Sequence, residues 1–274
     1  MIENEFDNDT KYRLFRTIRE ILHPTISKRN ISDYKIILSD DILPIRVFYP
    51  KKISEIDNII LYIHGNGKVT SCHGEYSRIC KELSNKLNKL VIGIEYEEDD
   101  KPYKDLLMDI EATVDYIYDG LEKNDKSSDK IVLMGDSTGC TMIEYLHTKK
   151  IGLKINKEIL CYPILSLNIE DIRKFPSVDK NREFNPQLVR RLEEYYNQIE
   201  YKDNYKDLMK DNNINTLVLI GSVDSLSDYI KDYFSLKDPK TYKLLELPFA
   251  NHGFLRKMDQ ELSEEFYKEI NDFI

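Results

Sequence analysis

Residues 131–139 read Ile-Val-Leu-Met-Gly-Asp-Ser-Thr-Gly, and this stretch decides the fold. Ile131 to Met134 are an apolar run of strand type. Gly135-Asp136-Ser137-Thr138-Gly139 follows the pattern G-x-S-x-G, and Cys140 to Lys149 carry a helical pattern with Ile143 and Leu146 on one side. Strand, tight turn and helix put the central serine at the apex of a sharp bend, clear of the sheet and open to solvent. Gly135 and Gly139 lack Cβ atoms, so strand and helix can approach closely and the strained turn is tolerated. Ser137 therefore reads as a nucleophile at an elbow. A Gly/Ser turn without chemistry is the competing reading of the pentapeptide, and the rest of the chain decides between them.

A serine hydroxyl is a weak nucleophile until a base takes its proton. The base needs an orienting carboxylate, and the developing oxyanion needs backbone donors. For a serine on such an elbow the chain order is Ser, then Asp or Glu, then His.

The chain has 274 residues, room for one large α/β domain or two small ones. Its 41% hydrophobic and 32% charged residues fit a soluble globular protein with a highly charged surface. The net charge of −9 comes without a basic stripe, which argues against nucleic acid as a main partner. Residues 1–7 are acidic and have no apolar core, so no secretory signal is expected there. No apolar run approaches the length of a membrane span. Cys72, Cys80, Cys140 and Cys161 have neither metal-ligand nor disulfide-framework spacing, and a cytoplasmic location with reduced thiols is the simplest expectation.

Taken in order, residues 1–23 hold Tyr12, Leu14, Phe15, Ile18, Ile21 and Leu22 at helical spacing, ended by Pro24. Segments 34–39 and 44–49 read as a hairpin turning at Asp40-Asp41. Segment 58–63 is a buried strand running into His64-Gly65-Asn66-Gly67. A helix over 75–87, a strand over 90–96, an acidic loop over 97–100 and a helix over 104–121 precede the elbow. After it come a strand over 158–162, then 216–220, a helix over 229–236, a strand over 241–247 and a helix over 258–274. Residues 165–212 break the alternation with a polar stretch whose helical pattern is confined to 188–199. That is too long for a simple connection. The expected architecture is one domain over 1–274, with an about eight-stranded, mostly parallel sheet and helices on both faces. Residues 1–30 and 165–212 are expected to form a small helical cap.

In open α/β sheets, functional groups sit on loops past the carboxyl ends of strands. Four such loops carry the required chemistry: His64-Gly65-Asn66-Gly67, Ser137, Asp224 and His252-Gly253-Phe254. Of five histidines, one falls where the base is needed. The set resembles the α/β-hydrolase fold and, within it, the hormone-sensitive-lipase-like esterases. That family has His-Gly-Gly-Gly, Gly-Asp-Ser-Ala-Gly, an Asp-x-Leu-x-Asp segment and a late His-Gly-Phe. Here they stand as residues 64–67, 135–139, 224–228 and 252–254, and the likeness covers roughly 44–274.

The resemblance implies Ser137 as nucleophile, His252 as general base and then acid, and Asp224 as the carboxylate that orients the imidazole. Asp228 is the alternative carboxylate. The resemblance also implies oxyanion donors at the backbone N–H groups of Gly65, Asn66 and Thr138. His64, Gly67, Gly135 and Gly139 would be structural supports. One oxyanion donor contributes about 3–4 kcal/mol in such sites. The implied activity is hydrolysis of small, short-acyl esters through an acyl-enzyme, with no metal or organic cofactor. An amidase or formamidase, a lactonase, a peptidase, or a non-catalytic ligand-binding protein are the alternatives on the same fold. The family admits homodimers, and no feature of this sequence specifies one.

Three departures from the family pattern stand out. Asn66 replaces the middle glycine; its backbone donor survives, and Asn tolerates positive φ well. The usual Tyr-Arg-Leu-Ala-Pro-Glu reads Tyr96-Glu97-Glu98-Asp99-Asp100-Lys101. Thr138 stands for Ala. Asp136 reads as a structural partner in the elbow, Cys140 as packing and His147 as a helix residue away from the site. Tyr195, Tyr196, Tyr201 and Tyr205 suit either an acyl pocket or a cap helix packed on the core. His23 and His73 receive no role.

Overall fold

The structure is a computed structural model, and it describes residues 16–24, 31–37, 42–52, 58–65, 73–96, 102–166, 168–175, 190, 192–194, 197–198 and 214–274. In the strand Ile59–Ile63 (β3 in chain order) all five residues are buried. A strand with no exposed side chain must be covered on both faces. Ile59, Leu61 and Ile63 belong to one apolar cluster, and Ile60 and Tyr62 belong to a second on the opposite face. The period of two along the strand thus separates two cores.

Among the described residues, eight strands form one sheet in the order β1-β2-β4-β3-β5-β6-β7-β8. The hairpin β1 (Ile31–Ile37) and β2 (Ile42–Phe48) is antiparallel, and β2 runs antiparallel to β4 (Leu90–Ile94). From β4 through β3, β5 (Ile131–Asp136), β6 (Lys157–Cys161), β7 (Asn215–Gly221) and β8 (Tyr242–Leu247), every pairing is parallel. The expected hairpin is present, displaced one to three residues towards the N-terminus.

One core lies under helix α1 (residues 16–22), α3 (Tyr103–Glu122), α4 (Thr138–His147) and α6 (Ser227–Ser235), which contribute Ile18, Ile110, Ile143 and Ile230. The other lies under α2 (His73–Leu87) and α7 (Gln260–Phe273), which contribute Leu83 and Phe266. A short helix α5 (Ile169–Arg173), not anticipated from its polar sequence, is N-capped by the Asn168 side chain and buries Ile172. Most of residues 1–30 and 165–212 lie outside the described residues, Tyr195, Tyr196, Tyr201 and Tyr205 among them. The described parts are held to the body. The Tyr49 hydroxyl donates to Ile21 O (3.2 Å), Leu192 is fully buried, and the Tyr103 N–H donates to Gln198 Oε1 (2.6 Å). Among the described residues, no helix is long and apolar enough to cross a membrane.

Register does the rest. Ile63 pairs with Gly135, Asp136 with Cys161, and Gly221 with Leu247. The loops after β3, β5, β6, β7 and β8 therefore leave the sheet along one edge, where open parallel sheets place their sites.

Candidate active site

Ser137 has φ 49° and ψ −120°, in a region that non-glycine residues rarely occupy. Hydrogen bonds impose it. The Ser137 N–H donates to Cys161 O (3.0 Å), and its carbonyl accepts from the N–H groups of Cys140 and Ile164 (both 3.1 Å). Gly139 makes the bend possible by close approach: a Cβ there would lie 2.3 Å from Ile63 O. Ser137 occupies the N-cap position of α4, where serine ordinarily turns its hydroxyl onto the helix amides. Here it makes no cap bond. Its Oγ lies 3.0 Å from His252 Nε2 instead.

His252 follows β8, and its Nδ1 lies 3.1 Å from Asp224 Oδ2. Asp224 follows β7 with its side chain fully buried, and its Oδ1 accepts from the Leu226 N–H (2.9 Å). The two loops brace each other: Ser222 N–H donates to Leu247 O (2.9 Å), Val223 N–H to Ala250 O (3.0 Å), and Phe249 N–H to Ser222 Oγ (2.8 Å). With Nδ1–H directed at the carboxylate, the Nε2 lone pair faces the serine hydroxyl. A quarter of the His252 side chain is exposed, so a ligand can reach the imidazole while its carboxylate partner stays dry. Asp228 is exposed in the first turn of α6, and the hydrogen bond to His252 is made by Asp224.

The glycine-rich turn calls for a correction. Gly65 N–H donates to Asp136 Oδ1 (2.8 Å). That donor is committed inside the elbow and does not face a ligand, so Gly65 does not fit the oxyanion role expected of it. Its lack of a Cβ matters more, since one would lie 2.2 Å from Asp136 O and 2.8 Å from Ser137 Cβ. Asn66 and Gly67 lie outside the described residues, as do the acidic residues 97–100. Thr138 is the first residue of α4, beside Ser137. The His64 ring stacks on Tyr96 at 4.1 Å and 7°, and the Tyr96 hydroxyl donates to His64 O. His64 thus holds the entry to the turn.

Asp136 is buried and accepts three hydrogen bonds. Tyr62 OH (2.7 Å) and Gly65 N–H reach Oδ1, and Tyr162 OH (3.1 Å) reaches Oδ2. Burial pushes its carboxyl above the usual range, against the pull of those three donors. Sequence reasoning missed the two tyrosines. Both sit at or just past the carboxyl ends of the strands that flank β5, a pattern that becomes informative only once the strand order is known.

The remaining candidates lie apart. Cys140 is buried with its Sγ 3.8 Å from Cys161 O. His147, at the far end of α4, is buried with Nε2 2.9 Å from Glu158 and Nδ1 3.5 Å from Glu144. His23 is exposed at the end of α1, and His73 opens α2. Among the described residues, no group of His, Cys, Asp or Glu is arranged to hold a metal ion.

Known proteins share stretches of this sequence and its fold. A protein of Acanthamoeba polyphaga mimivirus named as an alpha/beta hydrolase is 23% identical over 154 residues, 54% of this chain and 44% of its own length. The arylacetamide deacetylase-like 3 protein of Mus musculus is 26% identical over 132 residues, 46% of this chain and 32% of its own. The matched stretch spans less than half of either relative. The solved structure of an esterase from Pyrobaculum calidifontis superposes with a TM-score of 0.71 at 16% identity, covering 96% of this chain and 89% of that one. At that identity the superposition speaks for the fold. A family model described as the alpha/beta hydrolase fold matches residues 60–256, from within β3 past the His252 loop. On that match, and on the sheet order that goes with it, the chain belongs to the alpha/beta hydrolase fold family.

Proposed function

We propose that this chain is a cytoplasmic serine carboxylester hydrolase that cleaves small, short-acyl esters through an acyl-enzyme. The observation that carries the reading is the hydrogen-bonded series Ser137–His252–Asp224, drawn from three separate strand ends and including a serine turned away from its helix cap. The likeness to a solved esterase and the family membership support it. The buried, unbridged thiols Cys80, Cys140 and Cys161 suit a reducing compartment.

In this reading Ser137 Oγ attacks the ester carbonyl carbon as its proton passes to His252 Nε2. Asp224 stabilises the imidazolium. The oxyanion is met by the N–H groups of Thr138 and Asn66. Collapse breaks the bond to the alcohol, which leaves with the proton from Nε2, and the acyl group stays on Ser137. Water then attacks with His252 as base, the carboxylic acid departs, and the serine recovers its proton. The sum is ester plus water giving acid plus alcohol, and no metal or organic cofactor takes part. Residues 1–30 and 165–212 form the cap over the substrate. Burial of Ile172 and Leu192 and the Gln198–Tyr103 bond support its docking on the body.

A ladder of p-nitrophenyl esters from acetate upward, run on wild type and Ser137→Ala, tests this. Turnover greatest at short chains and absent from the variant is expected. An amide reading has one point in its favour, the name of the mouse relative. A p-nitroanilide hydrolysed in preference to every ester would move the assignment there. Tight ligand binding with no turnover of either class would make the chain a binding protein.

A further inference from the structure

Tyr162 stands outside the mechanism above, yet it touches both halves of the site. It is the residue after β6, 1% exposed, with φ 36° in the left-handed region. A tyrosine in that region is an outlier that its surroundings must impose. Its N–H donates to Leu219 O at 2.7 Å, which holds the backbone there. The ring so placed lies 5.0 Å from the His252 imidazole at 64°, an edge-to-face contact. The hydroxyl at the other end of the same ring donates to Asp136 Oδ2 (3.1 Å). Asp136 Oδ1 in turn accepts from Tyr62 OH and from Gly65 N–H. One rigid aromatic thus runs from the imidazole to the carboxylate that holds the glycine-rich turn. A residue serving only to fill the core would need neither the strained backbone nor the buried carboxylate, since apolar groups pack there without the desolvation cost of a charge.

We propose that Tyr162 is a positioning residue: its ring sets the pose of His252, and its hydroxyl, through Asp136, locks that pose to the Gly65 turn. The consequence for rate rests on the ester-hydrolase reading, while the effect on the imidazole does not. Both ends of the reacting carbonyl's environment are then aligned by one side chain, so a shift at either end reaches the other. Tyr162→Phe keeps the ring contact and cuts the bond to Asp136, whereas Tyr162→Leu removes both.

The test combines imidazole NMR of His252, steady-state turnover of p-nitrophenyl acetate and active-site titration with an uncharged fluorophosphonate, on wild type and both variants. The His252 resonances are expected to shift in both variants, further in Tyr162→Leu, while those of His147 hold still. With sites counted by titration, kcat is expected to fall about tenfold in Tyr162→Phe and about a hundredfold in Tyr162→Leu, with KM little changed. Thermal midpoints separate lost folding from lost alignment. Unmoved His252 resonances, or rates per titrated site equal to wild type in both variants, overturn the proposal. A wild type that neither turns over nor labels sinks the hydrolase reading instead, and the resonances then decide the positioning role by themselves.

Discussion

Two carboxylates are buried at opposite ends of the parallel strands, and the protein treats them differently. Asp136, at the carboxyl end of β5, is hydrogen-bonded among the described residues by neutral donors, two tyrosine hydroxyls and one amide, and feels the Arg256 charge without an ion pair. Burial raises its pKa above the usual carboxylate range despite them. Glu158, near the amino end of β6, accepts from Thr216 Oγ1 (2.7 Å) and faces the His147 imidazole at 2.9 Å. Burial pushes that carboxyl up as well, but His147, with help from Lys237 and the Thr216 hydroxyl, outweighs burial and leaves it lowered. For His147, burial works against the charged ring, yet Glu158 and Glu144 overcome it and hold the pKa at about 10. A buried carboxylate with no counter-ion is costly and persists where geometry demands it; one with an imidazolium partner serves cohesion. The carboxyl end of the sheet is built for alignment and the amino end for stability.

The largest expected effect lies at the alignment end. Ser137→Ala should lower kcat by about 10⁴-fold or more while leaving the thermal midpoint in place, because the elbow is held by backbone bonds. Steady-state turnover beside a melting curve checks this, and a large loss of stability would blur the division between the two ends. The converse is His147→Leu. It leaves Glu158 buried without its cation and should cost about 3–5 kcal/mol of stability in urea unfolding. Turnover per folded molecule should not change. A drop in that turnover would show that the two ends are coupled.

The two ends should also differ in their response to pH. The folded state favours protonated His147, so its contribution is present in full below about pH 6.5, the range of an ordinary histidine. It is lost as the pH rises towards about 10. Unfolding at several pH values between those limits should show wild-type stability declining relative to His147→Leu, and a flat difference would remove the ion pair from the account. The smallest stability effect should come from Asp136→Asn. Because burial works against the charged form of that carboxyl, its replacement by a neutral amide of the same shape should cost less than about 1 kcal/mol. Turnover should nonetheless fall, since the acceptor for Tyr162 is altered. Equal losses in both measurements would make Asp136 a stability residue like Glu158.

Much of the fold was legible in the sequence because both its periods and its breakers are strong. The run Ile131–Met134 admits only a buried strand, and Gly139 only a close helix approach. The placement of Asp224 and His252 was legible because each follows a strand, in the order Ser, Asp, His. What was not legible depends on neighbours distant in sequence. Tyr62 and Tyr162 lie 100 residues apart and meet through Asp136 only because β3 and β6 flank β5. The use of the Gly65 N–H was hidden for the same reason: a motif names the residue, but the direction of its amide is set by the carboxylate opposite. The His147–Glu158 pair escaped because a helix end and a strand start are brought together by packing alone.

If Ser137 is an activated nucleophile, an uncharged fluorophosphonate labels it, and intact-mass analysis reads the label. One phosphonyl adduct per chain on wild type, mapped to Ser137 and absent from both Ser137→Ala and His252→Gln, is the expected result. No adduct on the folded wild-type protein, or one that persists in Ser137→Ala, would contradict it.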